Sequence, residues 1–256
     1  MNGGQAVARF LEDNAIDTVF GLLGGSMLEL FDAVRCSESI RYIGARDERA
    51  AGHMADAWAR IRNRPGVVLG AQAGPGVANL VTAVAEAQLA YSPLVAIAGA
   101  ISRGDQGKDT FQEIDQVGLF KGISKRSLAV SHPDQLVPML EDAFRLAMAG
   151  RKGPVVLHVP RDLFNSQVSS PERPPLTYPR PGVPAVEDIL TAAELVKAAR
   201  RPVIVAGGGF KWGAQTDALP ILARTAGIPV VTSTGHADIM PADHEMYAGQ
   251  AGPRGN

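Results

Sequence analysis

The 256-residue sequence is poor in several things, and each shortage excludes something. It has one cysteine, Cys36, so no internal disulfide staples the fold. A cytoplasmic location is expected from that reduced chemistry. No apolar run reaches membrane-spanning length; GVVLGA (66–71) is far too short. The opening MNGGQAVARFLEDN has neither the basic flank nor the apolar core of a signal peptide. Net charge is −1 with no long run of either sign, which leaves no footprint for nucleic acid. The five histidines, His53, His132, His158, His236 and His244, have no tight metal-ligand spacing and read as structural or surface groups. No metal site is expected in these residues. Aromatics make up only 5%, whereas glycine is plentiful at 28 residues, as suits tight strand–helix turns.

What is present is an alternation of short β-like runs and amphipathic helical stretches. A helix over 5–14 puts Val7, Phe10 and Leu11 on one face. A strand at 18–21 is followed by a glycine turn at 22–26. Ser26 and Glu29 then read as a capping box that opens a helix through 30–34. A second strand covers 40–45. RDERAAGHMADAWAR (46–60) turns helical, with Ala51, Met54, Ala55 and Trp58 at helical steps. The fully apolar run 66–71 is what a central parallel strand requires. A sharp AGPG turn (73–76), a helix over 77–89 and a strand over 94–98 follow. This succession predicts an α/β fold, a doubly wound parallel sheet with helices on both faces. After a long polar loop at 99–115 come a strand at 127–130 and a helix at 134–149. That helix turns Leu136, Val137, Leu140, Phe144 and Met148 inward, and a strand at 155–159 closes the domain.

Six prolines in 169–184 mark a linker. The expected division is a first domain at 1–165, a linker at 166–184 and the start of a second α/β domain at 185–256. The second domain reads as a helix (186–199), a strand (203–206), a glycine turn (207–209), a helix (214–226) and a strand (229–232). About 70 residues is a thin core for a doubly wound domain. The sequence is therefore expected to be the N-terminal part of a longer protein.

Glycine turns at the carboxyl ends of parallel strands are the usual ligand sites of such sheets. The candidates are FGLLGGS (20–26), QAGPGVAN (72–79) and AGGGF (206–210). None completes a G-x-G-x-x-G fingerprint, and no G-x-x-x-x-G-K-[ST] occurs, so nucleotide binding is weakly supported. Singly, each glycine needs no reason beyond tight packing or a positive φ. Asp47 and Glu48 likewise need no reason beyond an acidic helix start. Jointly, the turns after the first three strands place a glycine pair, a glutamate and GPG along one edge. That edge would be apolar and glycine-walled, with one carboxylate, one amide and no lysine. It suits a flat, weakly basic heterocycle better than a phosphate.

These motifs, in this order, resemble the N-terminal, pyrimidine-binding part of thiamine diphosphate enzymes of the acetolactate synthase type. VFGLLGGS (19–26), RDERAAGHMADAWAR (46–60), the stretch from PGVVLGA to VAIAG (65–99), GKDTFQEID (107–115) and GPVVLHVPRDLF (153–164) carry the resemblance. Beyond the prolines, VIVAGGG (203–209) and GIPVVTSTGHADIMPADH (227–244) resemble the start of the family's central domain.

The resemblance implies that Glu48 is the catalytic, cofactor-binding glutamate. Its carboxyl would hydrogen-bond a ring nitrogen of the cofactor's aminopyrimidine and favour the imino form, which takes the proton from the thiazolium carbon. Asp47 is the rival carboxylate, and the motif favours Glu48. Gly24 and Gly25 match a turn near the cofactor. Pro75 and Asn79 match the turn against the pyrimidine, and Phe111 and Gln112 a loop on the substrate side. Thiamine diphosphate is the implied cofactor. The implied substrate is pyruvate or a related 2-keto acid, and the implied reaction carboligation or decarboxylation. Mg2+ and the diphosphate would be held by a C-terminal domain absent from these residues and supplied by a second subunit. The implied assembly is a homodimer or tetramer through the pyrimidine-binding domain. FAD has no supporting residues. These residues alone are expected to be inactive. The alternatives are a related 2-keto acid decarboxylase or acyltransferase, and a non-catalytic regulatory or scaffold subunit.

The sequence departs from the family pattern at several points. Asp47 and Arg49 stand where histidine and glutamine are frequent, Leu23 where a proline is usual, and Gln72-Ala73 where Thr-Ser precedes GPG. These departures leave cofactor activation in place and the substrate open.

Overall fold

A computed structural model describes residues 1–70, 72–169, 174–179, 182–212 and 217–252. Position 71 of the expected third strand, parts of the proline-rich stretch (170–173 and 180–181), positions 214–216 of an expected helix and residues 253–256 lie outside the described residues. The chain divides into two compact units, Met1–Arg180 and Pro181–Asn256.

The first unit runs α1 (Gly3–Asp13), β1 (Thr18–Leu22), α2 (Leu28–Cys36), β2 (Arg41–Gly44), α3 (Glu48–Arg62), β3 (Gly66–Gly70), α4 (Pro75–Ala78), α5 (Val81–Leu89), β4 (Leu94–Ala100), α6 (Gln116–Lys121), β5 (Arg126–Ala129), α7 (Leu136–Met148), β6 (Val155–Pro160) and α8 (Arg161–Asn165). Its six strands form one parallel sheet in the order β2-β1-β3-β4-β6-β5. The two-residue period of the strands sorts their side chains between the faces. Val67, Leu69, Val95, Ile97, Val155 and Leu157 pack with residues of α1, α2, α7 and α8. Val68, Leu94, Ala96, Ala98 and Val156 pack with α3, α4, α5 and α6 on the other side. Covered on both faces, β3 has no exposed position, whereas the edge strands β2 and β5 are partly open.

Several local expectations change. Ser26 and Glu29 make no capping box, and no side-chain bond caps α2. The Ser26 hydroxyl instead accepts from the Ala73 amide at 3.1 Å, across the sheet edge. The helix expected over 77–89 is split into α4 and α5, with Asn79 ending α4. Along α7 the small Ala143 and Ala147 complete the buried face, and Met148 is only half-buried. The short α6 and α8 escape periodicity because neither completes two turns. Tyr178 and Leu176 of the proline-rich stretch pack against the first unit's core, and the Leu176 amide donates to Asn14 Oδ1 at 2.7 Å.

The long loop between β4 and α6 is held by its own polar groups. Arg103 donates from its backbone N and from Nε to the two carboxylate oxygens of Asp162, at 3.0 and 2.7 Å. Its Nη1 reaches the Ser131 carbonyl at 3.0 Å. Further along, Glu113 accepts from the Gly107 and Thr110 amides at 2.6 and 3.1 Å, and these backbone donors hold its carboxyl below the usual range. Asp115 then caps α6 through the Gly118 amide at 2.8 Å.

The second unit contains α9 (Val186–Ala198), β7 (Ile204–Ala206), α10 (Gly208–Lys211), α11 (Ala218–Ala226), β8 (Val230–Ser233) and β9 (Tyr247–Ala251). The strands are parallel in the order β7-β8-β9 around a small core of Ala206, Leu219, Ala223, Val230, Ile239 and Met240. The glycine turn expected at 207–209 is shorter than expected. Gly207 alone leaves the strand, and Gly208 and Gly209 already belong to α10, whose Phe210 packs on the core. Among the described residues no helix is long and apolar enough to cross a membrane.

Removing the Arg103 anchor is expected to loosen the loop without unfolding the unit. Asp162→Ala deletes two charge-assisted bonds, which solvent screening of this half-exposed pair reduces to about 1 kcal/mol. Limited trypsin digestion should then cut after Arg103 and Lys108 about fivefold faster, with the thermal midpoint little changed.

Candidate functional site

The first three strands end at one level. Gly21 pairs with Gly44, and Leu22 with Gly70. β2 lies on one side of β1 and β3 on the other, so the winding reverses here, and the turns leaving these strands face one another. This is where a parallel sheet offers a ligand site.

Helical phase separates the two neighbouring acids. α3 buries Ala51, Ala55 and Ala59, packs Gly52 against Ala83 of α5, and Trp58 meets Phe20 edge-on at 6.0 Å. Glu48 stands one turn before Ala51 and Gly52, on that buried face, and is 5% exposed. Asp47 precedes the helix and spends its carboxylate on the N-cap, accepting from the Arg49 amide at 2.7 Å.

Glu48 Oε2 accepts from Asn79 Nδ2 at 2.9 Å. Among the described residues Oε1 accepts no hydrogen bond. It lies against Gly76, where a Cβ would stand 2.9 Å from it, so only glycine lets this oxygen stay where it is. Two residues earlier, Gly74 adopts φ +68°, and a Cβ there would meet the Gln112 carbonyl at 2.3 Å. The GPG turn is thus shaped by a close approach on each side. Pro75 opens α4 at its first position, where its missing N–H costs nothing.

Three glutamines tie this turn to its neighbours. Gln72 accepts from the Gly25 amide at 2.8 Å and donates to Gln112 Oε1 at 2.5 Å. Gln116 accepts from the Gly74 amide at 2.8 Å. The structure therefore gathers Gly25, Glu48, Asn79 and Gln112 around the Gly74 turn. Gly24 is half-buried and extended beside it. Phe111 is 85% exposed and stands out from the loop, as does Leu23 from the first turn. Sequence reasoning missed Gln72, Gln116 and Ser26 as the groups that hold the turns together. For Gln72 a signal existed: it is one of the departures from the family pattern.

His158, read as structural or surface, is buried on β6 between Gln116 and Ser127. Burial pushes its imidazole down to about 4, with Asp115 opposing. A cavity of about 250 Å3 under the 106–117 loop is lined by Gln112, Asp115, Gln116, His158 and Pro160 among others.

This arrangement fits an aminopyrimidine ring. One carboxylate oxygen is held by an amide, and the other, which accepts no hydrogen bond among the described residues, is open to a ring nitrogen. Among the described residues no lysine or arginine is bonded to these groups. Among the described residues no group of three His, Cys, Asp or Glu side chains is placed to hold a metal ion.

Comparison with known proteins agrees with the geometry. Residues 1–119 match the profile of the thiamine pyrophosphate enzyme N-terminal TPP binding domain, and residues 189–256 match the central domain of the same enzymes. The chain is 38% identical over its whole length to an acetolactate synthase of Mycobacterium bovis, of which it covers 42%. It is 36% identical over its whole length to the acetolactate synthase large subunit of Corynebacterium glutamicum, covering 41% of that protein. With the acetolactate synthase isozyme 1 large subunit of Escherichia coli it shares 36% identity over 99% of its length and covers 45%. The chain thus spans less than half the length of these relatives.

The depressed His158 imidazole sets a pH dependence of stability. The unfolded chain takes up this proton near pH 6.5, the folded chain only near 4. The stabilisation is therefore complete above about pH 6.5 and is lost as pH falls toward 4, by roughly 3 kcal/mol in all. Urea unfolding from pH 7.5 to 4.5 should show this arm in the native chain. His158→Asn should lack it.

Proposed function

The chain belongs to the thiamine pyrophosphate enzyme family, and from that premise we propose that it is the pyrimidine-binding and central portion of a thiamine diphosphate-dependent carboligase of the acetolactate synthase type, acting on pyruvate or a related 2-keto acid. The observation that carries this is Glu48: buried, held on one oxygen by Asn79, and with the other, beside Gly76, accepting no hydrogen bond among the described residues.

Asn79 holds Oε2, and Oε1 lies against Gly76. A ring nitrogen meeting Oε1 would share a proton with it in a site largely closed to water. The turn from Gly74 to Gly76 would form one wall for the ring, and Gly24 and Gly25 would form the opposite wall. Thiamine diphosphate, when bound, supplies the acidic thiazolium carbon that engages the 2-keto group and the electron sink for decarboxylation. Phe111 and Gln112 would face the substrate side, where the exposed Phe111 ring has apolar surface to offer.

Among the described residues no cation is bonded to the groups of this site. Mg2+ and the diphosphate would be held by a diphosphate-binding domain of a second subunit, in a homodimer or tetramer formed through this pyrimidine-binding unit. These residues alone would then bind the cofactor weakly and turn over no 2-keto acid. A cytoplasmic location belongs to the same proposal, supported by a single, unpaired and exposed Cys36.

In the enzyme assembled with its diphosphate-binding domain, Glu48→Gln should lower pyruvate consumption by about 10²- to 10⁴-fold, the usual reach of a positioned acid–base group. Exchange of the thiazolium proton for deuterium should slow in parallel. Full activity in this variant would sink the proposal. Product analysis across a panel of 2-keto acids identifies the acceptor.

A further inference from the structure

The amide of Gln116 has no freedom in how it is oriented. Its oxygen accepts from the Gly74 N–H at 2.8 Å, so its nitrogen is the donor end. That nitrogen lies 3.1 Å from the Gly99 carbonyl and 3.1 Å from His158 Nδ1. A carbonyl can only accept, so the remaining hydrogen points at Nδ1, which must be bare. The imidazole proton is therefore on Nε2, where it donates to Ser127 Oγ at 2.9 Å. Every donor in the series Gly74, Gln116, His158 points away from the turn, and hydrogen bonds aligned in this way reinforce one another.

The far end of this series is rigid. Ser127 lies on β5, His158 on β6 and Gly99 on β4, and Phe120 packs its ring 5.8 Å from the imidazole. The near end is a turn in a conformation that only glycine takes easily. From that turn α4 begins, with Ala78 N bonded to the Gly74 carbonyl at 2.9 Å and Asn79 N to that of Pro75 at 3.2 Å. The position of Asn79, and so its bond to Glu48, follows from the position of Gly74.

We propose that Gln116 and His158 are positioning residues, an internal brace that ties the Gly74 turn to three strands and thereby sets the Asn79–Glu48 pair for the aminopyrimidine. The part concerning the aminopyrimidine rests on the proposed function; the brace itself does not. Neither residue reaches Glu48. Their effect passes through backbone, and this distinguishes them from buried polar groups that merely satisfy each other.

Nuclear magnetic resonance of the 256-residue chain tests the brace directly. In the native chain the imidazole nitrogens should report the Nε2–H tautomer at pH 7. Gln116→Glu keeps the shape and the Gly74 bond but sets a carboxylate oxygen against the Gly99 carbonyl and His158 Nδ1. It should draw a proton onto His158 at neutral pH. His158→Leu should speed hydrogen exchange at the Gly74 amide about tenfold and shift the Asn79 side-chain amide signals. His158→Gln, which can accept from Gln116 and donate to Ser127, should restore both. Signals from α1 show whether each variant is folded. Unchanged Gly74 exchange and Asn79 signals in folded His158→Leu would overturn the brace, as would failure of His158→Gln to restore them.

The probe 4-amino-5-hydroxymethyl-2-methylpyrimidine tests the link to the site. It should bind the native chain and His158→Gln alike, and His158→Leu about tenfold more weakly. Equal binding by His158→Leu, with Gly74 loosened, would overturn the positioning role and leave the proposed function standing. No binding by the native chain would count against the aminopyrimidine reading itself, while Gly74 and Asn79 still decide the brace.

Discussion

A carboxylate that is 5% exposed needs a hydrogen-bond partner, because burying it alone costs several kcal/mol. Glu48 has that partner in Asn79, on a different helix after a different strand. Much of the first unit's geometry can be traced to keeping these two side chains in register. α3 must present its buried face at the right depth, which Trp58 against Phe20 and the small Ala51, Gly52 and Ala55 achieve. β1 and β3 must end level with each other. α4 must start where Gly74 directs it, and Gly74 is pinned from three sides, by Gln112, by Gln116 and through Gln72 by the first turn.

The layered α/β architecture was legible because it rests on repeated apolar signals. GVVLG and VVLHV can only be covered on both faces, and the helices between them declare one apolar face each. Glu48 was legible as one of two acids, and the apolar phase of Ala51 and Ala55 already contained the choice between them. Ser26 misled because a capping box is a local pattern. The hydroxyl went instead to Ala73, a partner 47 positions away that sequence spacing does not indicate. The tying roles of Gln72 and Gln116 were hidden for the same reason. A glutamine in a polar loop looks like solvated surface until two loops are brought within hydrogen-bond distance. His158 sits at a strand position where neighbours are aliphatic, and its partners come from β5 and the start of α6.

The chemistry of the lining divides the labour of the site. Glycine backbone, one half-engaged carboxylate and amides recognise a neutral ring through shape and a single shared proton. A diphosphate would need cations or several free backbone donors at a helix start, and here the Arg49 and Gly74 amides are already taken by Asp47 and Gln116. Under the proposed function, a unit built this way would read one end of the cofactor and leave the charged end to other residues.

The edge where the winding reverses carries features that the central strands do not. A buried carboxylate, Gln112 at φ +70° and a turn that tolerates no Cβ at Gly74 or Gly76 lie around the carboxyl ends of the first three strands. The strained backbone costs about 1–3 kcal/mol on its own. The buried centre of the sheet, by contrast, is plain valine, leucine, isoleucine and alanine in ordinary strands. Positive φ at Ala15, Asn63 and Tyr91 and the close-packed Gly3, Gly4 and Gly66 lie elsewhere in the unit, so what singles out this edge is the buried carboxylate beside the Gly74–Gly76 turn, the observation on which the proposed site rests.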